Sequence, residues 1–111
     1  MTRINLEFRR GTTKTFSGVL RDSSGAVVDL TNATMTWRMG EADGIQTRLT
    51  LSESDGITVS APTTGAWSIT IDPGDTSSLD PRCYIHQGKA VIGSATYDFT
   101  DGRVTLRRDL D

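Results

Sequence analysis

Cysteine and histidine occur once each in these 111 residues, as Cys83 and His86, and proline occurs three times. A lone cysteine closes no intramolecular disulfide, so the fold does not depend on an oxidising compartment. One cysteine and one histidine also fall short of the three or four ligands of a protein zinc site. The two are three positions apart, and on a strand residues so spaced point to opposite faces. That geometry argues against a thiolate activated by its neighbour. His86 is expected to be a half-buried structural histidine, and Cys83 an inert structural cysteine. No glycine cluster is followed by Lys-Ser or Lys-Thr, which removes a phosphate-binding loop. No apolar run reaches transmembrane length, and residues 1–5 lack the apolar core of a signal peptide. Cytosolic synthesis with no membrane partner is the expectation. Positive charge is not in excess: 12 Lys and Arg face 14 Asp and Glu, for a net charge of −2. Such a balance makes nucleic acid an unlikely main partner.

What is abundant is Ser, Thr and glycine, with apolar residues on every second position between polar turns. Residues 30–39 show the pattern best: Ala33, Met35, Trp37 and Met39 alternate with Thr34, Thr36 and Arg38. That period belongs to a strand with one buried face. Ile4, Leu6 and Phe8 begin the chain in the same way. Phe16, Gly18 and Leu20 follow, then Thr47, Leu49 and Leu51, then Ile57 and Val59, then Trp67, Ile69 and Ile71. Residues 40–44 read as a polar loop. Turn signals recur about every ten residues, as in a sandwich or barrel. Residues 72–80 break the rhythm: Asp72 can cap, Pro73 suits a first helical position, and one short helical turn is predicted before Pro81. In residues 82–92 pattern alone leaves the register open between the even set, Tyr84, His86, Gly88 and Ala90, and the odd set, Cys83, Ile85, Gln87 and Val91. The even set is preferred inward because its small members leave room for Trp37 or Trp67. Ala95, Tyr97 and Phe99 form the next inward row. Asp101-Gly102 is read as a turn or bulge before Val104 and Leu106. The expected core is Phe8, Phe16, Leu20, Met35, Trp37, Leu49, Ile57, Val59, Trp67, Ile69, Ile71, Tyr97, Phe99, Val104 and Leu106.

Candidate sites are few. The acidic turns around Asp22, Glu53 to Asp55, and Asp72 to Asp75 contain calcium-type ligands without the spacing of a calcium loop, and their residues are ordinary turn formers. Asn32-Ala33-Thr34 matches a glycosylation acceptor, which carries no weight without a secretion signal. Basic residues collect at the chain's ends: Arg3, Arg9, Arg10 and Lys14, then Arg103, Arg107 and Arg108. If the first and last strands are neighbours, these form a positive patch. It would either blunt an exposed sheet edge or dock an acidic protein. Arg3, Arg9, Arg10, Arg107 and Arg108 are the partner-binding candidates, and both end strands are expected to offer open backbone edges. No catalytic, cofactor or metal residue is assigned.

The run Val28-Asp29-Leu30-Thr31-Asn32-Ala33-Thr34-Met35-Thr36-Trp37-Arg38-Met39, with Gly56-Ile57-Thr58-Val59 and the stretch from Gly65 through Trp67 to Ile71, resembles small immunoglobulin-like domains of tailed bacteriophages. The N-terminal domains of phage baseplate upper proteins are such relatives. The short helical turn ending at Leu79, a Tyr84-centred strand and the closing Gly102-Arg103-Val104-Thr105-Leu106 also fit. The sequence departs from that pattern at residues 85–90, where Gln87-Gly88-Lys89 replaces a more apolar strand. The resemblance implies one immunoglobulin-like antiparallel β-sandwich over residues 1–111. It implies attachment rather than chemistry: a non-enzymatic structural component of the virion, acting as an adaptor in the tail, baseplate or head–tail region. Its partners would be other virion proteins in a symmetric assembly. A capsid decoration protein is the alternative within that class. A carbohydrate-binding β-sandwich is the alternative outside it.

Overall fold

The computed structural model describes residues 2–41 and 46–108. Their strands are β1 (Thr2–Arg3), β2 (Leu6–Arg9), β3 (Lys14–Val19), β4 (Thr34–Glu41), β5 (Thr47–Glu53), β6 (Gly56–Thr58), β7 (Ala66–Ile71), β8 (Cys83–Ile92) and β9 (Ala95–Arg107). One helical turn, α1 (Pro73–Thr76), lies where Asp72 and Pro73 predict it. The Asp75 carboxylate accepts the Asp72 N–H at 2.9 Å, which closes the turn. A 3-10 turn spans Pro62–Thr64, so the described residues are all-β with two short helical turns, the strands being those the alternation implies.

Hydrogen bonding links the strands into one sheet in the order β1-β9-β8-β4-β5-β6-β7-β3, with β2 also on β9. A flat sheet would hold β3 and β4 four strand spacings apart, about 19 Å. Instead the Phe16 ring of β3 lies 5.8 Å from Trp37 of β4 and 5.7 Å from His86 of β8. The sheet must fold over on itself, and its concave face is the core. The fold line is the corner between β5 and β6. Ser52 and Glu53 lie beside Gly56 and Ile57 in parallel register, although only two residues separate the strands. Parallel neighbours otherwise need a crossover of a dozen residues or more. This contact is thus a tight turn from one layer to the other, with Ser54 at φ 64° and Gly56 at φ 102°. Where β5 leaves the ladder, the Glu53 carboxylate accepts the Met35 N–H in place of a main-chain carbonyl.

Most pairings are antiparallel, but β1 and β2 run parallel to β9. This corrects the expectation of a purely antiparallel arrangement: the chain's first strand returns beside its last in the same direction. It also corrects the expected edges. Strand β9 is paired on both sides, by β8 and by β1 and β2, so residues 103–106 are no open edge. The free margins of the described sheet are β1 and β2 at one end and β3 at the other.

The predicted parity holds on most strands and shifts where a residue is inserted. In β8 the even set faces inward. The space at Gly88, however, is filled by Phe99 and not by a tryptophan: a Cβ there would sit 2.7 Å from Phe99 Cε1. In β9 the inserted residue is Phe99 itself. Gly88 pairs with Thr100 and Lys89 with Asp98, so Phe99 and Thr100 are both buried and inward positions switch from odd to even. The bulge thus lies ahead of Asp101-Gly102, where the pattern had placed it. A second bulge sets Met39 against Leu49 and Gly40 against Thr47, skipping Arg48. It turns Thr47 outward, against expectation, and β4 continues through Glu41 where a loop was predicted. The rest of that loop, residues 42–44, lies outside the described residues. Leu49, Val59 and Tyr97 only line the core, whereas Leu6, Leu30, Met39, Leu51 and Tyr84 are buried in it.

Trp37 is fully buried, so Trp37→Ala should destabilise the fold by about 3–5 kcal/mol through lost transfer energy and a residual cavity. Gly88→Ala should cost about 1–3 kcal/mol by overpacking, and Phe99→Leu in that background should recover part of it. Urea titration measures both. An unchanged midpoint for either single variant would contradict the packing described.

Candidate functional site

The parallel docking of β2 on β9 sets Arg9 beside Arg107 in register. Arg9 Nη1 donates to the Arg108 carbonyl at 3.1 Å, and the Arg107 guanidinium pairs with Glu7. Three of the five candidate arginines therefore meet at one end of the sheet. Arg10 turns away from them: its Nη1 donates to the Leu79 carbonyl at 3.2 Å, tying the β2–β3 loop to the segment after α1. There the Gly11 N–H donates to the buried Thr76 hydroxyl at 2.9 Å. Arg3 is remote as well. It lies beside Asp101, six residues or about 20 Å along β9 from Arg107, with Nε 3.5 Å from the Asp101 carboxylate. The five candidates form a cluster of three with two outliers, not one patch.

The side chains once weighed for chemistry serve the fold. Cys83 is exposed on the outer face of β8, as the inward assignment of the even set implies. His86 faces the core and is almost wholly buried, more than the half-buried setting predicted. Its Nδ1 accepts the Trp37 indole N–H at 3.0 Å. That bond leaves the proton on Nε2, which donates to the Ile4 carbonyl at 2.6 Å. One imidazole thus joins β8, β4 and the N-terminal strand. Burial pushes its pKa below the ordinary 6.5, outweighing the upward pulls of the Ile4 carbonyl and the Asp101 charge. Gly102 completes this contact, because a side chain at its φ of 150° would collide with the Ile4 carbonyl oxygen.

The carboxylate of the Asp22 turn is occupied by its own loop, and so is that of Asp29. Asp22 Oδ1 accepts from the Ser24 hydroxyl and from the Ser24 and Ala26 N–H groups, at 2.6–3.1 Å. Asp29 Oδ1 accepts from the Thr31 hydroxyl and N–H at 2.6 and 2.9 Å. The hydroxyl bond is the main reason that each carboxyl is held below its usual pKa. Among the described residues no three acidic, histidine or cysteine side chains converge as metal ligands. Trp37 and Trp67 are both in the core and offer no stacking platform to a sugar.

A group of cations that the sequence did not bring together lies on the outer face of β4, β8 and β9. Arg38 sits opposite Gln87, with Lys89 two residues further along β8 and Arg103 opposite Ile85. Arg38 and Lys89 are far apart in the chain, and only strand register unites them.

Acidification should expose the role of His86. The unfolded chain binds a proton near pH 6.5 and the folded one only at lower pH, so stability falls as pH drops below about 6.5. Asp22 and Asp29 add a second loss only near and below about pH 4. The urea midpoint should therefore decline between pH 7.5 and 5.0, and His86→Gln should flatten that decline while lowering stability throughout. A wild-type midpoint that holds steady over this interval would refute the neutral, doubly bonded histidine. No protein-family model matches the sequence, and no curated protein is significantly similar to it.

Proposed function

We propose that the chain is an immunoglobulin-like β-sandwich that serves as a non-enzymatic structural component of a phage particle, an adaptor of the tail, baseplate or head–tail region. The strand order is the observation that supports the immunoglobulin-like part of this reading, and the resemblance supplies the role. Strands β4, β8 and β9 take the places of the C, F and G strands, and β5 extends their layer. Strands β3, β7 and β6 take the places of B, E and D in the facing layer. The N-terminal edge strand lies on β9, beside the C–F–G layer. This order agrees with the resemblance noted for residues 28–39, 56–59 and 65–71.

The chemistry of the described residues points the same way. The histidine, both tryptophans and the Asp22 and Asp29 carboxylates are engaged in holding the fold, and the solvent-facing residues of β3, β6 and β7 are mainly Thr and Ser. Such a module works by presenting surfaces. Repetition around a symmetry axis then lets each contact be modest, because multivalency multiplies it. The end formed by Arg9, Arg107 and Arg108 is one surface that a neighbouring virion protein would grip.

Particles banded from a lysate of cells carrying the coding sequence provide the test. Targeted mass spectrometry should find the chain at a fixed copy number per particle, and labelling in electron micrographs should place it on the tail or baseplate. Label over the head would favour the decoration reading. Absence from particles that contain the capsid protein would sink the virion assignment. Arg9→Glu with Arg108→Glu should lower incorporation and leave the melting temperature nearly unchanged, since both side chains are exposed. Full incorporation of that variant would remove this end from the interface.

A further inference from the structure

The outer face of the β4–β8–β9 layer carries charge that its own neighbours do not balance. Its acids are each engaged. Glu41, opposite the inward-facing Tyr84 at the end of β4, lies off this face and pairs with Arg48 at 2.8 Å and with Arg82 at 3.2 Å. Asp98 accepts from Gln87 Nε2 at 3.2 Å, and Asp101 lies 3.5 Å from Arg3. Arg38, Lys89 and Arg103 are exposed, and none is ion-paired among the described residues. Asp98 stands opposite Lys89 in register and offsets part of its charge, whereas Arg38 and Arg103 face the uncharged Gln87 and Ile85. Among the described residues, Asp22, Asp29, Asp55 and Asp72 sit on turns elsewhere.

The same face also exposes apolar surface. Ile85 and Val91 are 39% and 40% exposed on β8, on either side of Gln87 and Lys89. Between β4 and β8 the residues Thr34, Thr36, Arg38, Gln87, Lys89 and Val91 line a hollow of about 190 Å³. Alternate residues on β8 are about 7 Å apart, which is also the spacing of alternate side chains on an extended peptide. One cation lies at each of three successive outward steps of β8: Arg103 beside Ile85, Arg38 beside Gln87, and Lys89 itself. That suits a strand-like ligand that turns carboxylates and apolar residues toward this face from every second position.

We propose that this face is a docking surface for an extended acidic segment of a partner protein, with Arg38, Lys89 and Arg103 meeting its carboxylates and Ile85 and Val91 its apolar residues. The inference deepens the assembly reading by assigning a face and a partner chemistry. A protein segment is favoured over nucleic acid because three cations on a chain of net charge −2 neutralise too few phosphates for useful affinity.

The test uses the whole chain in solution, with a fluorescein-labelled ten-residue peptide of alternating glutamate and serine that also carries two leucines. A twin with glutamine for every glutamate is the control. Anisotropy should show saturable binding of the first peptide that weakens with added salt. Arg38→Glu with Lys89→Glu should weaken it about tenfold or more, and Arg38→Gln with Lys89→Gln by a smaller factor. Amide shifts in NMR should map to residues 36–38 and 85–91. Equal binding of the glutamine twin, unchanged affinity in both double variants, or shifts centred on Arg9 and Arg107 would overturn the proposal. So would tighter binding of a single-stranded oligonucleotide of equal charge. Because no particle is involved, failure here is separate from failure of the virion assignment.

Discussion

The contact between the two halves of the folded sheet, centred on Phe16, Trp37 and His86, is the constraint on which the remaining structure depends. Phe16 comes from a free edge strand and the other two from the middle of the opposite layer. Their rings lie 5.6–5.8 Å apart in tilted or edge-on arrangements. Aromatic pairs of this kind add roughly 0.5–1.5 kcal/mol each beyond the apolar area they bury. They also fix how closely the layers approach. Trp67 extends the cluster, 6.0 Å from Phe16 and 4.9 Å from Phe99. Phe99 in turn requires a residue without a side chain at position 88.

The histidine in this cluster solves a problem that a tryptophan creates. Burying an indole N–H without a partner costs roughly 1–3 kcal/mol. Trp37 avoids that cost through His86, whose second nitrogen then secures the Ile4 carbonyl. Ile4 falls between the two short N-terminal strands, where its carbonyl would otherwise face the core side of β9. The same imidazole therefore satisfies the core and fastens the first strand to the last. Its position also explains why it is unsuited to catalysis: both nitrogens are committed, and burial disfavours the charged form.

Outside this interior the surfaces are unlike one another. The two layers differ sharply outside. The β3–β7 layer shows Thr15, Ser17, Ser68 and Thr70, and is nearly uncharged. The β4–β8–β9 layer shows cations, acids held by neighbours, and two aliphatic side chains. The described residues thus carry one neutral face, one cationic face and a basic end.

Much of the fold was legible in the sequence because alternation reports burial directly. Every strand but the two-residue β1 has a buried or half-buried apolar residue of the predicted face, and the Asp72-Pro73 signal placed the α-helical turn. Three things were not legible. The two bulges, at Arg48 and Phe99, shift parity by one residue, and no residue type demands an insertion at either position. Parallel pairing of the N-terminal strand leaves no local mark, since the same alternating residues suit either direction. The grouping of charges was the least legible. Arg9 meets Arg107 and Arg38 meets Lys89 only through register between distant strands, while Arg3 and Arg10, counted with the basic ends, point to separate neighbours. The sequence by itself determined which faces are buried, because that follows from residue chemistry at period two. Only the tertiary structure decided which exposed residues stand together, because that depends on strand order and register, which hydrophobic burial leaves open.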